Sequence, residues 1–250
     1  LSLHKKDIEH GFWNIQRRKP EYLYYDDPRI YQVEALGLGF KNEENKSKEI
    51  KIWNATLEKL DNVEYLWTYH KVNQTTFEAI CHMKNLQGIC IKWSAIKNLD
   101  CLQHQPQLQH LNLGASPSIE SIAPIGTMSN LVTLELENFK KIQDWSPISR
   151  LTQLEGLAIC GGMYSRLKLD SIQFVTPLQN LKYLSLISTK VVDKSLKPIE
   201  SLKDLRSLKV IFDWTEEEFA ELRKKLPKLK YGNVADDKKS HYLKRLLGRK

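Results

Sequence analysis

The chain has 250 residues, 41% of them apolar and 27% charged, with a net charge of +8. Those totals suit a globular chain long enough to bury a sizeable core, and no apolar run approaches the ~20 residues that span a bilayer. The charge is uneven: residues 205–250 hold 13 basic and 7 acidic side chains, so +6 of the +8 lies in the last 46 residues.

The first segment, LSLHKKDIEHGFW, lacks an apolar signal core, but it does not begin with Met and so leaves the compartment open. Residues 11–31, GFWNIQRRKPEYLYYDDPRIY, are rich in aromatics and are expected to pack as a cap. Residues 31–40 (YQVEALGLGF) and 48–55 (KEIKIWNA) alternate like strands on either side of the polar KNEENKS. That pattern predicts an antiparallel β-hairpin, and with it an N-terminal cap over residues 1–62.

From residue 63 the sequence repeats. Segments of the form apolar-x-x-apolar-x-apolar begin at Val63, Leu86, Leu108, Leu131, Leu154, Leu181 and Leu205, with a truncated copy at Leu229. Successive starts lie 23, 22, 23, 23, 27, 24 and 24 residues apart. Between them runs an apolar residue at every third position. Before Leu154 these are Leu151, Ile148, Trp145 and Ile142; before Leu131 they are Met128, Ile125, Ile122 and Ile119. Pro124, Pro147 and Pro198 share one slot ahead of Ile125, Ile148 and Ile199. Alternating residues in the signature predict a short strand with one buried face. The period of three suits an extended or 3₁₀ return, where i and i+3 share a side. One such coil cannot bury its own apolar side chains, at ~1.5–3 kcal/mol each, so neighbours must stack.

This array, exemplified by IQDWSPISRLTQL at 142–154, resembles the leucine-rich repeats of the internalin and phosphatase-regulator type, over residues 63–234. The resemblance implies an α/β solenoid: a horseshoe with a parallel concave sheet and short 3₁₀, extended or helical returns. The Asn that usually closes the strand turn is replaced by Ser94, Ser116, Phe139, Thr189 and Asp213, so the turns are expected to be non-uniform and the arc irregular.

The signature also predicts which side chains leave the concave face. Down the array they include Tyr65, Trp67 and Tyr69 on one rung, with Trp53 and Trp93 near them. His110, Asn112, Glu135, Glu137, Tyr183 and Lys209 follow. Aromatics on an open sheet face are effective anchors for a partner protein. The 27-residue unit places its extra length in GGMYSRLK, where Gly161, Gly162, Tyr164 and Arg166 would form a loop on the rim of that sheet. A helix is expected after Trp214, with Thr215 and Glu218 as a capping box and Trp214 and Phe219 as a staple. Beyond it, residues 235–250 form a basic cap or tail, in which Tyr242, Leu243, Leu246 and Leu247 share a helical face.

Chemistry is sparse. The four cysteines lack CxxC spacing; Cys90 and Cys160 fall about 14 Å apart on three rungs, leaving Cys81 and Cys101 as the only pair within reach. Free thiols are expected, which favours a cytoplasmic setting. His82 beside Cys81 and His104 near Cys101 are the one metal-like grouping, and no metal or cofactor is expected there. Glu135 and Glu137 lack the nucleophile or cleft that acid–base work requires. The sequence therefore predicts a monomeric, non-catalytic module whose concave face binds another protein. The alternative is a basic adaptor that meets RNA or another polyanion through residues 223–250.

Overall fold

A computed structural model describes residues 19–42, 44–162, 165–210 and 214–235. Among them nine strands lie side by side in one sheet. They are β1 (Glu21–Leu23), β2 (Ala35–Leu38), β3 (Tyr65–Val72), β4 (Gly88–Ser94), β5 (His110–Leu113), β6 (Thr133–Glu137), β7 (Gly156–Cys160), β9 (Tyr183–Leu186) and β11 (Ser207–Val210). They follow chain order and every neighbouring pair is parallel. Two further strands, β8 (Leu167–Leu169) and β10 (Thr189–Val191), pair in parallel as a small second sheet.

The leucine ladder fixes the register. Leu36, Leu66, Ile89, Leu111, Leu134, Leu157, Leu184 and Leu208 are Cα partners in succession, and all are buried. A one-residue slip would turn this whole row to the other face. The returns carry the period of three into hydrogen bonds. Ile148 N donates to Trp145 O (3.2 Å), Leu151 N to Ile148 O (3.0 Å) and Leu154 N to Leu151 O (3.0 Å). The same residues thus supply the inward side chain and the i→i+3 backbone bond, and the pattern recurs through Ile122, Ile125, Met128 and Leu131. Neighbouring returns stack closely enough that a Cβ on Gly126 would lie 2.8 Å from Pro147 Cβ.

The N-terminal hairpin is not formed. Residues 48–55 lie within a helix, α1 (Lys46–Leu57), and β2 pairs in parallel with both β1 and β3. In KEIKIWNATL the local alternation loses to an i, i+4 face of Glu49, Trp53 and Leu57, all buried. Glu49 accepts from the backbone of Lys41 (2.9 Å) and Asn42 (3.3 Å), closing the polar segment before the helix. Trp53 sits in the core, its indole N–H donating to Gly39 O at 3.0 Å, and not beside the aromatic rung. The sheet therefore runs across residue 62 without a break.

The second correction concerns sulfur. Cys81 ends α2 (Gln74–Cys81) and is disulfide-bonded to Cys101 in the next return, with Cα atoms 5.7 Å apart. Adjacent coils stacked in register bring these two residues together; Cys90 and Cys160 remain free thiols. With its two thiols consumed, the Cys–His grouping holds no thiolate, although His82 and His104 do stack at 5.6 Å. The turns are not uniform: three of them share a left-handed residue that the turn at Ser94 lacks, and Asp213 lies outside the described residues. Ala115, Asn138 and Ser188 all have positive φ (40°, 64°, 55°), each one residue before a replaced Asn position. Around them Ser94 and Ser116 share a buried hydroxyl bond of 2.8 Å, and Thr189 donates to Ile159 O at 3.0 Å.

Two more returns are helical, α3 (Lys197–Glu200) and α4 (Glu216–Lys225). The predicted capping box is present at Thr215 and Glu218, and Trp214 packs against Phe219 with ring centres 6.4 Å apart. A further rung begins where Tyr231 bridges Ser207, and Asn233 exchanges hydrogen bonds with the Val210 backbone (3.1 and 2.6 Å). Among the described residues no helix is long and apolar enough to cross a membrane. Residues 236–250 lie outside the described residues, as do Tyr164 and residues 1–18.

Candidate interaction face

Because β-strand side chains alternate, the residues between the ladder leucines form registered rows on the concave face. One row runs Ala35, Tyr65, Gly88, His110, Thr133, Gly156, Tyr183, Ser207; the next runs Tyr22, Gly37, Trp67, Cys90, Asn112, Glu135, Ala158, Ser185, Lys209. Tyr65, Trp67, His110, Asn112, Glu135, Tyr183 and Lys209 thus belong to one surface, and Glu137 joins a third row opposite Cys160.

Their accessibility divides them. Tyr65 and Trp67 are only 5% and 3% exposed, forming a small apolar cluster with Ala35 and Cys90 apart from the main core. The Tyr65 hydroxyl meets Gln87 Oε1 at 3.1 Å, and its ring stacks on His110 at 6.5 Å. His110 in turn meets Thr133 Oγ1 at 2.8 Å. A second apolar cluster gathers Ala158, Cys160 and Tyr183, with Ile187 against it. Tyr69, by contrast, is 54% exposed, and Trp93, at the far end of β4, is 47% exposed with Lys92 Nζ 6.0 Å from its ring.

One aromatic on this face lies outside those that the repeat signature predicts. Tyr22, on β1, lies across Gly37, where an added Cβ would sit 2.4 Å from the ring. Its ring is 5.4 Å from that of Tyr69. Burial first, then the hydrogen bond with Tyr69, raises the Tyr22 phenol well above its ordinary range. The neighbouring rung that Tyr22 lies across did carry a signal: VEALGL at 33–38 is an apolar-x-x-apolar-x-apolar segment, thirty residues before Val63.

The middle of the face is acidic. Asn112 donates its amide to Glu135, which is pushed up to about 8 by burial and then by Glu137, with Lys92 acting against both. Burial, with Glu135 next, pushes the thiols of Cys90 and Cys160 up to about 12, so both stay protonated at neutral pH and are poor nucleophiles. Among the described residues no group of three or more His, Cys, Asp or Glu is arranged to hold a metal.

The inserted segment is described on either side of residues 163–164. Gly162 and Ser165 form an antiparallel bridge, and the chain continues into β8 beside β10. Arg166 Nη2 donates to Thr189 O at 3.0 Å. Gly161 is required by space: a Cβ there would lie 2.0 Å from Ser188 O.

Registered parallel strands, 3₁₀ returns and a leucine ladder define a leucine-rich-repeat solenoid of internalin-like architecture. Similar solved structures include internalin C2 of Listeria monocytogenes, at 19% identity over 70% of this chain and 73% of that one, TM-score 0.53. A leucine-rich-repeat protein of Leptospira interrogans matches at 21% identity over 85% of this chain and 51% of that one, TM-score 0.57. The receptor in a TLR13–ssRNA13 complex matches at 17% over 84% of this chain and 33% of that one, TM-score 0.52. The chain thus spans about half of the Leptospira protein and a third of the receptor. No family model and no curated protein sequence matches it.

Proposed function

We propose that this chain is a non-catalytic module that binds another protein on its concave face, with the Tyr22–Tyr69 pair as its anchor. The observation that carries this reading is the exposure of Tyr69, paired with Tyr22, on the same strand as the nearly buried Tyr65 and Trp67. Large rings held on a rigid sheet lose little entropy on docking and bury much area. Tyr65 and Trp67 support them from the same surface, and two rungs beyond β4 Glu137 offers a carboxylate beside the Glu135 carboxyl, which burial keeps largely protonated at neutral pH.

A photoreactive residue at Tyr69 should capture a partner that the same residue at Lys203, on a return, does not. With that partner purified, Tyr22→Ala and Tyr69→Ala should each weaken binding by roughly tenfold or more, with unchanged circular dichroism. Equal capture at both sites, or full affinity in both variants, would refute the placement.

The polyanion alternative rests on the +6 charge of residues 205–250. Within the described part of that end, four cations are already paired: Arg223 with Glu216, Lys224 with Glu221, Lys225 with Glu200 and Lys228 with Asp204. Such pairing lowers the charge offered to phosphates, and favours the concave-face reading. Polyanion binding that survives truncation after Val234 would dispose of the alternative.

A further inference from the structure

Away from the concave face, two imidazoles meet across neighbouring returns. His82 caps the C-terminus of α2, and His104 ends the 3₁₀ turn Asp100–His104 of the next unit. The repeat brings them together, since each lies four residues before its signature, at Leu86 and Leu108. Both side chains are exposed, and their ring centres are 5.6 Å apart. The backbone beneath them is tied from both coils. Cys81, beside His82, is bonded to Cys101. The buried Gln105, beside His104, donates its side-chain amide to Cys81 O (2.7 Å) and Met83 O (2.6 Å), the carbonyls on either side of His82. Two ligands on so fixed a frame are preorganised to act together.

His82 is also set in one tautomer. Its Nδ1 lies 2.7 Å from Glu78 O. A carbonyl only accepts, so the neutral ring carries its proton on Nδ1 and leaves its lone pair on Nε2. A ring N–H given to a backbone carbonyl is the outer contact that metal-ligating histidines make. The His104 ring makes only the stacking contact among the described residues, so it can turn a lone pair toward the same point. With metal–nitrogen bonds of about 2.0–2.1 Å added to the ring radii, one ion reaches two imidazoles whose centres lie up to about 6 Å apart. The observed separation falls inside that reach. The Glu78 carboxylate is taken by Gln74 Nε2 at 3.1 Å, and the sulfurs by their disulfide, which leaves imidazole nitrogen as the donor and water for the other positions. Such a donor set suits zinc, nickel or copper and not the oxygen-seeking magnesium or calcium.

We infer that His82 and His104 form a two-histidine site for a divalent transition-metal ion of the zinc, nickel and copper class, bridging the returns of two successive coils. The site is independent of the concave face.

Calorimetric titration of the full chain with nickel chloride and zinc chloride tests it, with magnesium chloride as the control. Histidines elsewhere in the chain make this a difference measurement against His82→Gln and His104→Gln. At least one of the two transition metals should bind the wild type with one equivalent that both variants weaken by roughly tenfold or more. Each variant loses the second imidazole, which binds as an intramolecular ligand. The metal should also raise the Tm of the wild type more than that of either variant, because it binds the folded arrangement. Without metal, His104→Gln should leave Tm unchanged, since its ring makes no hydrogen bond among the described residues. Magnesium should do none of this. Affinity weaker than about 1 mM for both transition metals, equal binding by the wild type and either variant, or an equal response to magnesium would each overturn the assignment.

Discussion

Replacing Glu135 by Gln removes a carboxylate whose burial works against the folded state. The ordinary value of 4.5 is raised to about 8, by burial first and by Glu137 second. Between those values the folded chain holds a proton that the unfolded chain has lost, so this residue makes stability fall as pH rises from about 4.5 to about 8. The gap sets a ceiling of about 5 kcal/mol at about 1.4 kcal/mol per pH unit. Partial exposure and solvent screening reduce the working figure to about 1–3 kcal/mol. Gln keeps the shape and can still accept the amide of Asn112, but it does not ionise. Urea unfolding of both proteins at about pH 5 and about pH 8.5 isolates the effect, since every other titrating group is shared. Glu135→Gln should be near-neutral at the acid end and stabilising by about 1–3 kcal/mol at the alkaline end. A difference that does not change with pH, or a variant less stable at alkaline pH, would refute the reasoning.

The two glycines at the rim should behave differently although they are neighbours. Gly161→Ala forces a Cβ to 2.0 Å from the Ser188 carbonyl, whereas at Gly162 the nearest atom is the Asn138 side-chain oxygen at 3.1 Å. Thermal or urea unfolding should therefore show a loss of about 2 kcal/mol or more for Gly161→Ala and a smaller one for Gly162→Ala; equal losses would contradict the close approach. Alkylation of the denatured, unreduced chain should label two of its four cysteines, Cys90 and Cys160, and label all four after reduction. Reduction should also cost about 3 kcal/mol of stability through the loop that Cys81 and Cys101 close.

The parts legible in the sequence are those where two constraints act on one residue. Ile148, Leu151 and Leu154 fill the core and also link the return by i→i+3 bonds, so their spacing tolerates little drift. The capping box at Thr215 was readable for the same reason: hydroxyl, carboxylate and the flanking Trp214 and Phe219 act together. The N-terminal rungs were obscured by competing periodicities. Residues 50–53, IKIW, alternate locally, yet the buried set is Glu49, Trp53 and Leu57. The helical return also stretches the spacing from Val33 to Val63 to thirty residues, outside the 22–27 of the later units. Which concave residues are covered was not readable at all. Strand parity places Tyr65, Trp67 and Tyr69 on one side, but it carries no information about what lies above them, and only Tyr69 is open.

The claim beneath all of this is a single stack of registered coils, and methyl contacts in solution test it most directly. Leu111, Leu134, Leu157, Leu184 and Leu208 succeed one another across β5, β6, β7, β9 and β11. In a methyl-labelled sample, nuclear Overhauser contacts should therefore link each leucine to the next, about 4.8 Å away per strand, and skip none. Contacts joining Leu111 to Leu208, or a missing link between Leu134 and Leu157, would contradict the solenoid.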